Sequence, residues 1–533
     1  MFIEEQLRGN MQTINALFTN AVARYGERPA LSEPAEGDRM STLTYRELQE
    51  RAQHFAGYLQ NEQFAKGDRL LLWSASRIDW LVAYLGALLV GVIVVPLDVN
   101  SKEDFLDRIS TITEAKLLIT TGKQWEGLKN ISLPFVEIDT LPQATLDASK
   151  LPDIDGNDLA ELVFTSGTTG QPKGVMLSHN NIASNATAAV EVVNIRSDDC
   201  ALSVLPLSHM FEMTIEIALL HSGAHIVYAR SLVPDTLLKL LNSQHVTCMV
   251  LVPQALQLFL NGIERQVRKQ HREQVFAQLL KVAAYLPFTW RKLLFRSVHQ
   301  RFGGRFRFFV SGGAYLPLFI AEKWELMGFR VMQGYGATEC SPVISATPYK
   351  EHVLDSVGKP LPGVEVRIAA DQEILVHGPN VAQGYWKNPE ATAAAFKEGW
   401  YYSGDLGTWD THGNLYLKGR KKNLIVLANG LNVYPEDIEN ILQQHPLVKD
   451  AVISGLMKQD EGPEIHAILL MEDPGQARTV VQQVNKQLAA HQQIRGFTVW
   501  PETDFPRTHT LKVKRQDVLD KLPDIRAAQK KAE

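Results

Sequence analysis

A chain of 533 residues that is 45% apolar and 21% charged has the profile of an ordinary globular protein with ample material for a core, and its length allows roughly two to four domains. A net charge of −5 supplies no global field for nucleic acid, which excludes that class of partner. Cys200, Cys248 and Cys340 stand without CxxC spacing, which excludes a disulfide framework and a zinc site and points to a reducing cytoplasm, and the acidic, polar start from Met1 to Gln6 does not read as a secretory leader.

In chain order, Thr44 to Gln60 reads as a helix, Arg69 to Trp73 as a strand, and Leu81 to Pro96 as an uncharged run. That run is short of the ~20 residues a membrane span needs, so it is expected to be a buried helix leading into a buried strand, Val92 to Leu97. Glu103 to Thr113 reads as a helix, with Lys116 to Thr120 and Phe135 to Ile138 as strands. This alternation predicts an α/β fold with largely parallel sheets.

The apolar run Leu159 to Phe164 then opens into Phe164-Thr-Ser-Gly-Thr-Thr-Gly-Gln-Pro-Lys-Gly-Val-Met176. Gly167, Gly170 and Gly174 allow close approach of backbone to an anion, Thr165, Ser166, Thr168 and Thr169 offer hydroxyls, and Lys173 offers a positive charge. The chemistry suggested is a loop that wraps a polyphosphate. It is not a Walker A loop, because counting from Gly167 the position before Lys173, where that motif needs its second glycine, is Pro172.

Residues Gly262 to Arg307 hold eleven Lys/Arg against Glu264 and Glu273, with apolar residues at helical spacing. They read either as a basic amphipathic patch for anionic membrane or as a solvated helical cover for the core. The strand Phe308 to Val310 leads into Ser311-Gly-Gly-Ala-Tyr315. In Gln333-Gly-Tyr-Gly-Ala-Thr-Glu339, Gly334 and Gly336 permit tight backbone approach, Thr338 can donate to a phosphate oxygen, and Glu339 can hold a hard cation such as Mg²⁺. After residue 355 the pattern turns to short strands, Val364 to Ile368 and Glu373 to Val376. Asp405, in Trp400-Tyr-Tyr-Ser-Gly-Asp-Leu-Gly407, is a carboxylate suited to a ribose diol. Beyond the basic cluster Lys418 to Lys422, Pro435 to Gln444 and Ala477 to His491 read as helices, with Asp450 to Gly455 and Glu464 to Met471 as strands, enough for a small α+β domain.

Taken in order, these motifs resemble those of the adenylate-forming superfamily, which comprises acyl-CoA synthetases, peptide-synthetase adenylation domains and beetle luciferases. Phe164 to Met176 resembles its phosphate loop, Gln333 to Glu339 its magnesium motif, and Trp400 to Gly407 its ribose segment. Gly419 to Glu439 resembles its interdomain hinge, and Phe505 to Arg515 the segment carrying its catalytic lysine. The resemblance implies an N-terminal domain, residues 1–419, of two α/β sheet subdomains plus a small β-barrel-like subdomain. A hinge at 420–423 and a small mobile α+β C-terminal domain, residues 424–533, would follow.

The resemblance also assigns roles. Thr165, Ser166, Gly167, Thr168, Thr169, Gly170 and Lys173 would hold phosphates, while Gly312, Gly313 and Ala314 would line the adenine. Gln333, Gly334, Tyr335 and Gly336 would complete the nucleotide site, with Thr338 and Glu339 acting at the reacting phosphate and Glu339 as metal ligand. Asp405 and Arg420 would take the ribose, Lys422 would be the pivot, Gly430 would border the pantetheine tunnel, and Lys512, favoured over its neighbour Lys514 by the spacing from Pro506, would be catalytic. Two positions depart from the pattern: Asn423 replaces a common acid, and Leu511 stands where glycine is usual, a residue that disfavours positive φ.

Leu205-Pro-Leu-Ser-His-Met-Phe-Glu212 resembles the long-chain branch of the acyl-CoA synthetases. It implies an acyl pocket bordered by His209, Met210, Phe211 and Gly336. The implied activity is ATP-dependent, Mg²⁺-assisted formation of acyl-AMP from a fatty acid, then transfer to CoA. A fatty acyl-AMP ligase or acyl-carrier-protein synthetase, a luciferase-like oxygenase and a catalytically dead scaffold stay open as alternatives. The expected setting is cytoplasmic, peripheral to the inner face of a membrane through residues 262–307, with a homodimer as an open partner state.

Overall fold

The computed structural model describes residues 12–532 except 38, 166–171, 232, 351–352, 459–461 and 509–511. Backbone packing divides the chain into two compact units: Met1–Leu316, Ile320–Val366 and Val376–Tyr402 form one, and Pro317–Phe319, Arg367–Leu375 and Ser403–Glu533 the other. The division falls ahead of the expected hinge at 420–423.

The first unit contains two sheets. Its six-stranded sheet runs in the order Phe135–Glu137, Leu117–Thr120, Arg69–Trp73, Ile93–Leu97, Leu159–Thr165, Lys173–Ser178. Its pairings are parallel except the last, which is antiparallel. The strands Leu70–Leu72 and Val94–Val95 are fully buried, as expected where helices cover both faces of a parallel sheet. The uncharged run behaves as expected: Ile78–Leu89 is a helix whose residues 78–88 are all buried, followed by the buried strand Ile93–Leu97. No described helix is long and apolar enough to cross a membrane.

The nine-stranded sheet carries Pro29–Pro34, His225–Tyr228, Cys200–Ser203, Cys248–Leu251, Phe308–Ser311 and Arg330–Gly336 as consecutive parallel neighbours. Antiparallel strands close it at both edges. Its parallel centre sets the site, because the carboxyl ends of the strands at 200–203, 308–311 and 330–336 share one edge. Open α/β sheets bind ligands in the crevice beyond that edge.

The basic segment is mostly helical, in the four helices Pro253–Lys269, Glu273–Ala283, Phe288–Leu294 and Arg296–Arg301. It is anchored from below by an aromatic cluster: His299 stacks on Phe329 with ring centroids 3.9 Å apart, and Phe302 packs edge-on against Trp324 at 5.8 Å. The Arg330 guanidinium lies 4.2 Å over the Phe288 ring. The opposite face stays in solvent, with Tyr285, Trp290 and Leu293 at 91%, 60% and 64% exposure.

The second unit includes a three-stranded sheet, Val448–Lys458, Gly462–Met471 and Gly496–Val499. The helices Pro435–Gln443 and Ala477–Asn485 bury Ile438, Leu442, Val480 and Val484 in the same core as sheet residues Ile453, Ala467 and Leu469. The helix expected over Ala477 to His491 ends at Asn485. There the side chain turns back to the chain, with Asn485 Nδ2 donating to Ile494 O at 3.0 Å and Oδ1 accepting from Ile494 N–H at 2.8 Å. Such side-chain bonds to backbone compete with helix continuation.

Candidate active site

Antiparallel register places Thr165 opposite Lys173, so the strand ends that flank the proposed phosphate loop are fixed. Ser166, Gly167, Thr168, Thr169 and Gly170 lie outside the described residues. At Gly174 packing by itself requires glycine: a Cβ there would meet the Phe164 ring at 2.8 Å.

The strand Lys173–Ser178 receives a second partner on its other side. Met176 N–H donates to Gly384 O at 3.0 Å, and Trp386 N–H donates to Gly174 O at 2.7 Å. This brings Tyr385 beside Lys173, whose ammonium lies 5.0 Å from the centre of the ring. The Tyr385 hydroxyl donates to Glu339 Oε1 at 2.8 Å. Burial first, and the Glu339 carboxylate second, push that hydroxyl above its ordinary range, so it stays a donor. Glu339 sits in a single 3₁₀ turn, Thr338–Cys340, immediately after Gly336, and its carbonyl accepts from Ala382 N–H at 2.8 Å.

Glycine is obligatory at one of the two expected positions. A Cβ on Gly336 would lie 1.7 Å from Pro342 O, whereas on Gly334 its nearest neighbour, Ser345 O, is 3.9 Å away. Tyr335 and Gln333 are buried beside them, and Gln333 Nε2 donates to Leu354 O.

The segments expected to line the adenine and the acyl chain meet at that edge. Gly312 follows the strand Phe308–Ser311, and a Cβ there would strike the Phe211 ring at 2.7 Å. Gly313 adopts φ +79° and is exposed, with Ala314 half-buried beside it. His209 caps the helix Met210–Ser222, its carbonyl accepting from Glu212 and Met213 N–H, both at 3.1 Å. Met210 is buried and Phe211 half-buried. Behind them lies an acid pair unseen in the sequence: Glu212 accepts from Ser203 Oγ, and Glu216 Oε2 accepts from Tyr228 OH at 2.6 Å. Burial raises both carboxyls; the Glu216 charge raises Glu212 further, while the hydrogen bond from Tyr228 opposes the rise at Glu216.

The second unit holds the remaining candidates. Asp405 and Arg420 are register partners across the strands Trp400–Trp409 and Leu415–Arg420, joined by an ion pair from Arg420 Nε to Asp405 Oδ1 at 2.8 Å. The strand just before Asp405 is held by Glu373, whose Oε1 accepts from Gly404 N–H at 2.9 Å and whose Oε2 accepts from Lys421 Nζ at 2.9 Å. Lys421 also donates to Asp371 at 2.6 Å.

Lys422 lies in the 3₁₀ turn Lys421–Asn423, lowered from the ordinary lysine range by burial and by the Arg420 and Arg515 cations. Lys512 keeps much of its side-chain surface in solvent, yet its ammonium is also lowered. Crowding of its surroundings acts first and Arg420 second, while Asp405 opposes both. Thus Lys512, Arg420 and Asp405 are brought within electrostatic reach of one another. Lys512 N–H donates to Thr508 Oγ1 at 3.2 Å, and Leu511 lies outside the described residues. Gly430 adopts φ +79° in open space and joins none of these contacts.

Among the described residues no group of three or more His, Cys, Asp or Glu forms a metal cage. A single carboxylate, Glu339, on the same Tyr385 ring as the Lys173 ammonium fits Mg²⁺, which keeps waters and is commonly held by one or two carboxylates plus substrate phosphates.

Residues 18–386 match the family of AMP-binding enzymes, and residues 422–528 the AMP-binding enzyme C-terminal domain. A long-chain-fatty-acid–CoA ligase of Mycobacterium bovis, FadD15, is 29% identical, with 86% of this chain and 88% of the relative aligned. One of Escherichia coli O157:H7 is 28% identical, over 96% of this chain and 94% of the relative. Among solved structures, ATP-bound MatB from Rhodopseudomonas palustris superposes with a TM-score of 0.78 at 26% identity, covering 95% of this chain and 98% of that one. The o-succinylbenzoate CoA synthetase MenE of Bacillus subtilis, with ATP and magnesium, gives 0.75 at 26% identity, covering 95% and 99%.

Proposed function

The chain belongs to the AMP-binding enzymes, and we propose that it activates a long-chain fatty acid in two steps. In the first, a carboxylate oxygen of the acid bonds to the α-phosphorus of ATP, the bond to the β-phosphate oxygen breaks, and pyrophosphate leaves. In the second, the thiol sulfur of CoA bonds to the acyl carbon, the acyl–phosphate bond breaks, AMP leaves, and the thiol proton passes to solvent. The products are acyl-CoA, AMP and pyrophosphate. The likeness over most of the chain to long-chain-fatty-acid ligases supports the choice of acid.

The observation that carries this reading is the grouping of a cation, Lys173, and a carboxylate, Glu339, on one buried ring at the carboxyl edge of the sheets. Phosphoryl-type displacement needs alignment and charge neutralisation rather than a protein nucleophile. Lys173 draws charge from the departing pyrophosphate, and Glu339 would hold Mg²⁺. When bound, that ion neutralises phosphate oxygens. Phe211 against Gly312 joins the acyl segment to the adenine segment, which orients the acid toward the nucleotide. Asp405 takes the ribose hydroxyls, and Arg420 fixes Asp405. Lys512 offsets the repulsion between the incoming carboxylate and the α-phosphate, and the pivot at Lys422 lets it withdraw before the thiol arrives.

Pyrophosphate release from ATP and palmitate, followed with and without CoA, tests the proposal. Release in both cases, with palmitoyl-CoA formed only with CoA, is the expected result. Absence of pyrophosphate with any carboxylic acid overturns it, and adenylate that persists in the presence of CoA assigns the chain to the acyl-AMP ligases.

A second reading concerns residues 262–307, which we assign to contact with an anionic membrane from a cytoplasmic position. Tyr285, Trp290 and Leu293 are exposed among eleven Lys/Arg, and one of the two acids, Glu264, is already engaged by Lys323 at 2.7 Å. Basic residues near an anionic surface contribute about 1 kcal/mol each. Sedimentation with phosphatidylserine-containing vesicles, lost at high salt and absent with neutral vesicles, is expected; binding indifferent to lipid charge removes the electrostatic argument.

A further inference from the structure

Tyr385 lies outside every motif that pointed to the site, yet it touches both charged groups at the carboxyl edge. It is 5% exposed. Its backbone is fixed by an isolated antiparallel bridge to Val175 and by its own N–H, which donates to Thr392 Oγ1 at 2.9 Å. Phe396 packs edge-on against its ring at 5.6 Å. The ring therefore has little room to turn, and its two polar features point at fixed targets: the hydroxyl at Glu339 Oε1, 2.8 Å away, and the ring face at Lys173 Nζ, 5.0 Å from the centroid.

We propose that Tyr385 is the positioning residue of the phosphate-handling set, holding the Glu339 carboxylate so that Oε2 alone is presented to the divalent cation while its ring holds the Lys173 ammonium in place. The inference rests on the adenylating reading above. A hydroxyl bond to a carboxylate is charge-assisted and strong. With one lone pair of Oε1 engaged in this way, Glu339 favours ligation through Oε2. That suits Mg²⁺, which is small and strictly octahedral, better than Ca²⁺, which often takes both oxygens of a carboxylate at longer distance. The ring acts separately, because a cation over an aromatic face is attracted by its quadrupole whether or not the hydroxyl is present. Tyr385 thus joins metal choice to the placement of the loop lysine.

The two functions separate in two variants. Tyr385→Phe keeps the ring and removes the hydroxyl; Tyr385→Leu removes both. Binding of ATP to the full chain is followed by titration calorimetry with no metal, with Mg²⁺ and with Ca²⁺, alongside the KM for palmitate. Tyr385→Phe is expected to raise the Mg²⁺ concentration needed for half-maximal tightening of ATP binding roughly tenfold. It should narrow the preference for Mg²⁺ over Ca²⁺ while metal-free ATP binding and the palmitate KM stay at parental values. Tyr385→Leu is expected to weaken metal-free ATP binding as well. A Tyr385→Phe protein with parental Mg²⁺ midpoint and parental Mg²⁺/Ca²⁺ preference overturns the proposal, as does equal loss of metal-free binding in both variants. A parent chain that binds no ATP under any metal condition overturns the adenylating reading, and this inference with it. A parent that binds Mg²⁺ and ATP while Tyr385→Phe behaves identically overturns this inference alone.

Discussion

Glu161 gives the sharpest stability prediction. It lies in the strand Leu159–Thr165 that leads into the proposed phosphate loop and is 0% exposed. Its Oε2 accepts from Tyr84 OH at 3.2 Å, and among the described residues Oε1 has no partner. Burial pushes the carboxyl from 4.5 to about 8. Because the folded value lies above the unfolded one, the folded chain keeps this proton where the unfolded chain has lost it. The associated stability is fully present below about 4.5 and is lost as pH rises toward about 8. At about 1.4 kcal/mol for each pH unit, the loss between pH 5 and pH 7.5 is roughly 3 kcal/mol. Glu161→Gln has no proton to lose. It should therefore gain on the parent as pH rises, by roughly that amount, equivalent to several degrees in thermal midpoint. Its extra amide N–H₂ adds a cost that is the same at every pH, so the slope carries the test. Thermal midpoints of parent and Glu161→Gln at matched scan rates, from pH 5 to pH 8, supply it. Parallel curves would refute the assignment of a buried, proton-holding carboxyl.

Three further outcomes follow from the geometry. Gly336→Ala, which drives a Cβ into Pro342 O, should lose about 1–3 kcal/mol and most activity, while Gly334→Ala, with its nearest neighbour 3.9 Å away, should keep a near-parental thermal midpoint. Asp405→Asn should raise the KM for ATP about tenfold and leave the palmitate KM unchanged in steady-state assays; parallel rises in both would place Asp405 outside the ribose site. Lys512→Ala should slow single-turnover adenylation by roughly 10²–10³-fold but spare thioester formation from supplied acyl-AMP. Because its surroundings lower Lys512, the parent should lose adenylation on the alkaline side at a pH below the ordinary lysine value of 10.5, and Lys512→Arg should move that limb upward; coincident limbs would discredit the protonated lysine.

Much of this architecture was legible because the relevant signals are local. Alternating apolar runs located the strands Arg69–Trp73 and Leu159–Thr165 and the helix Glu103–Thr113, and glycine- and hydroxyl-rich turns marked the carboxyl edge. Where the sequence misled, the deciding contact was tertiary. Periodicity carried the helix from Ala477 past Asn485 because nothing local announces that the Asn485 side chain bonds the backbone of Ile494. Gly174 looked like room for an anion, but the need for glycine comes from the Phe164 ring. Tyr385 was invisible because its partner Glu339 is 46 positions away and the strand Lys173–Ser178 is further still. The anchoring of Lys421 by Asp371 and Glu373, 50 and 48 positions away, was hidden for the same reason. Five of the loop residues from which the functional reading began, Ser166 to Gly170, lie outside the described residues. Their flanks, Thr165 and Lys173, pair across the strands, and Lys173 and Glu339 share the Tyr385 ring.

The central claim is that an acyl adenylate forms before any thioester. Incubating the chain with ATP, Mg²⁺, CoA and palmitate labelled with ¹⁸O in its carboxyl group, then weighing the AMP by mass spectrometry, tests it directly. One labelled oxygen on the AMP phosphate is the predicted result, since the carboxylate oxygen that attacks the α-phosphorus stays with it when the thiol takes the acyl group. AMP released without label alongside palmitoyl-CoA would contradict the account.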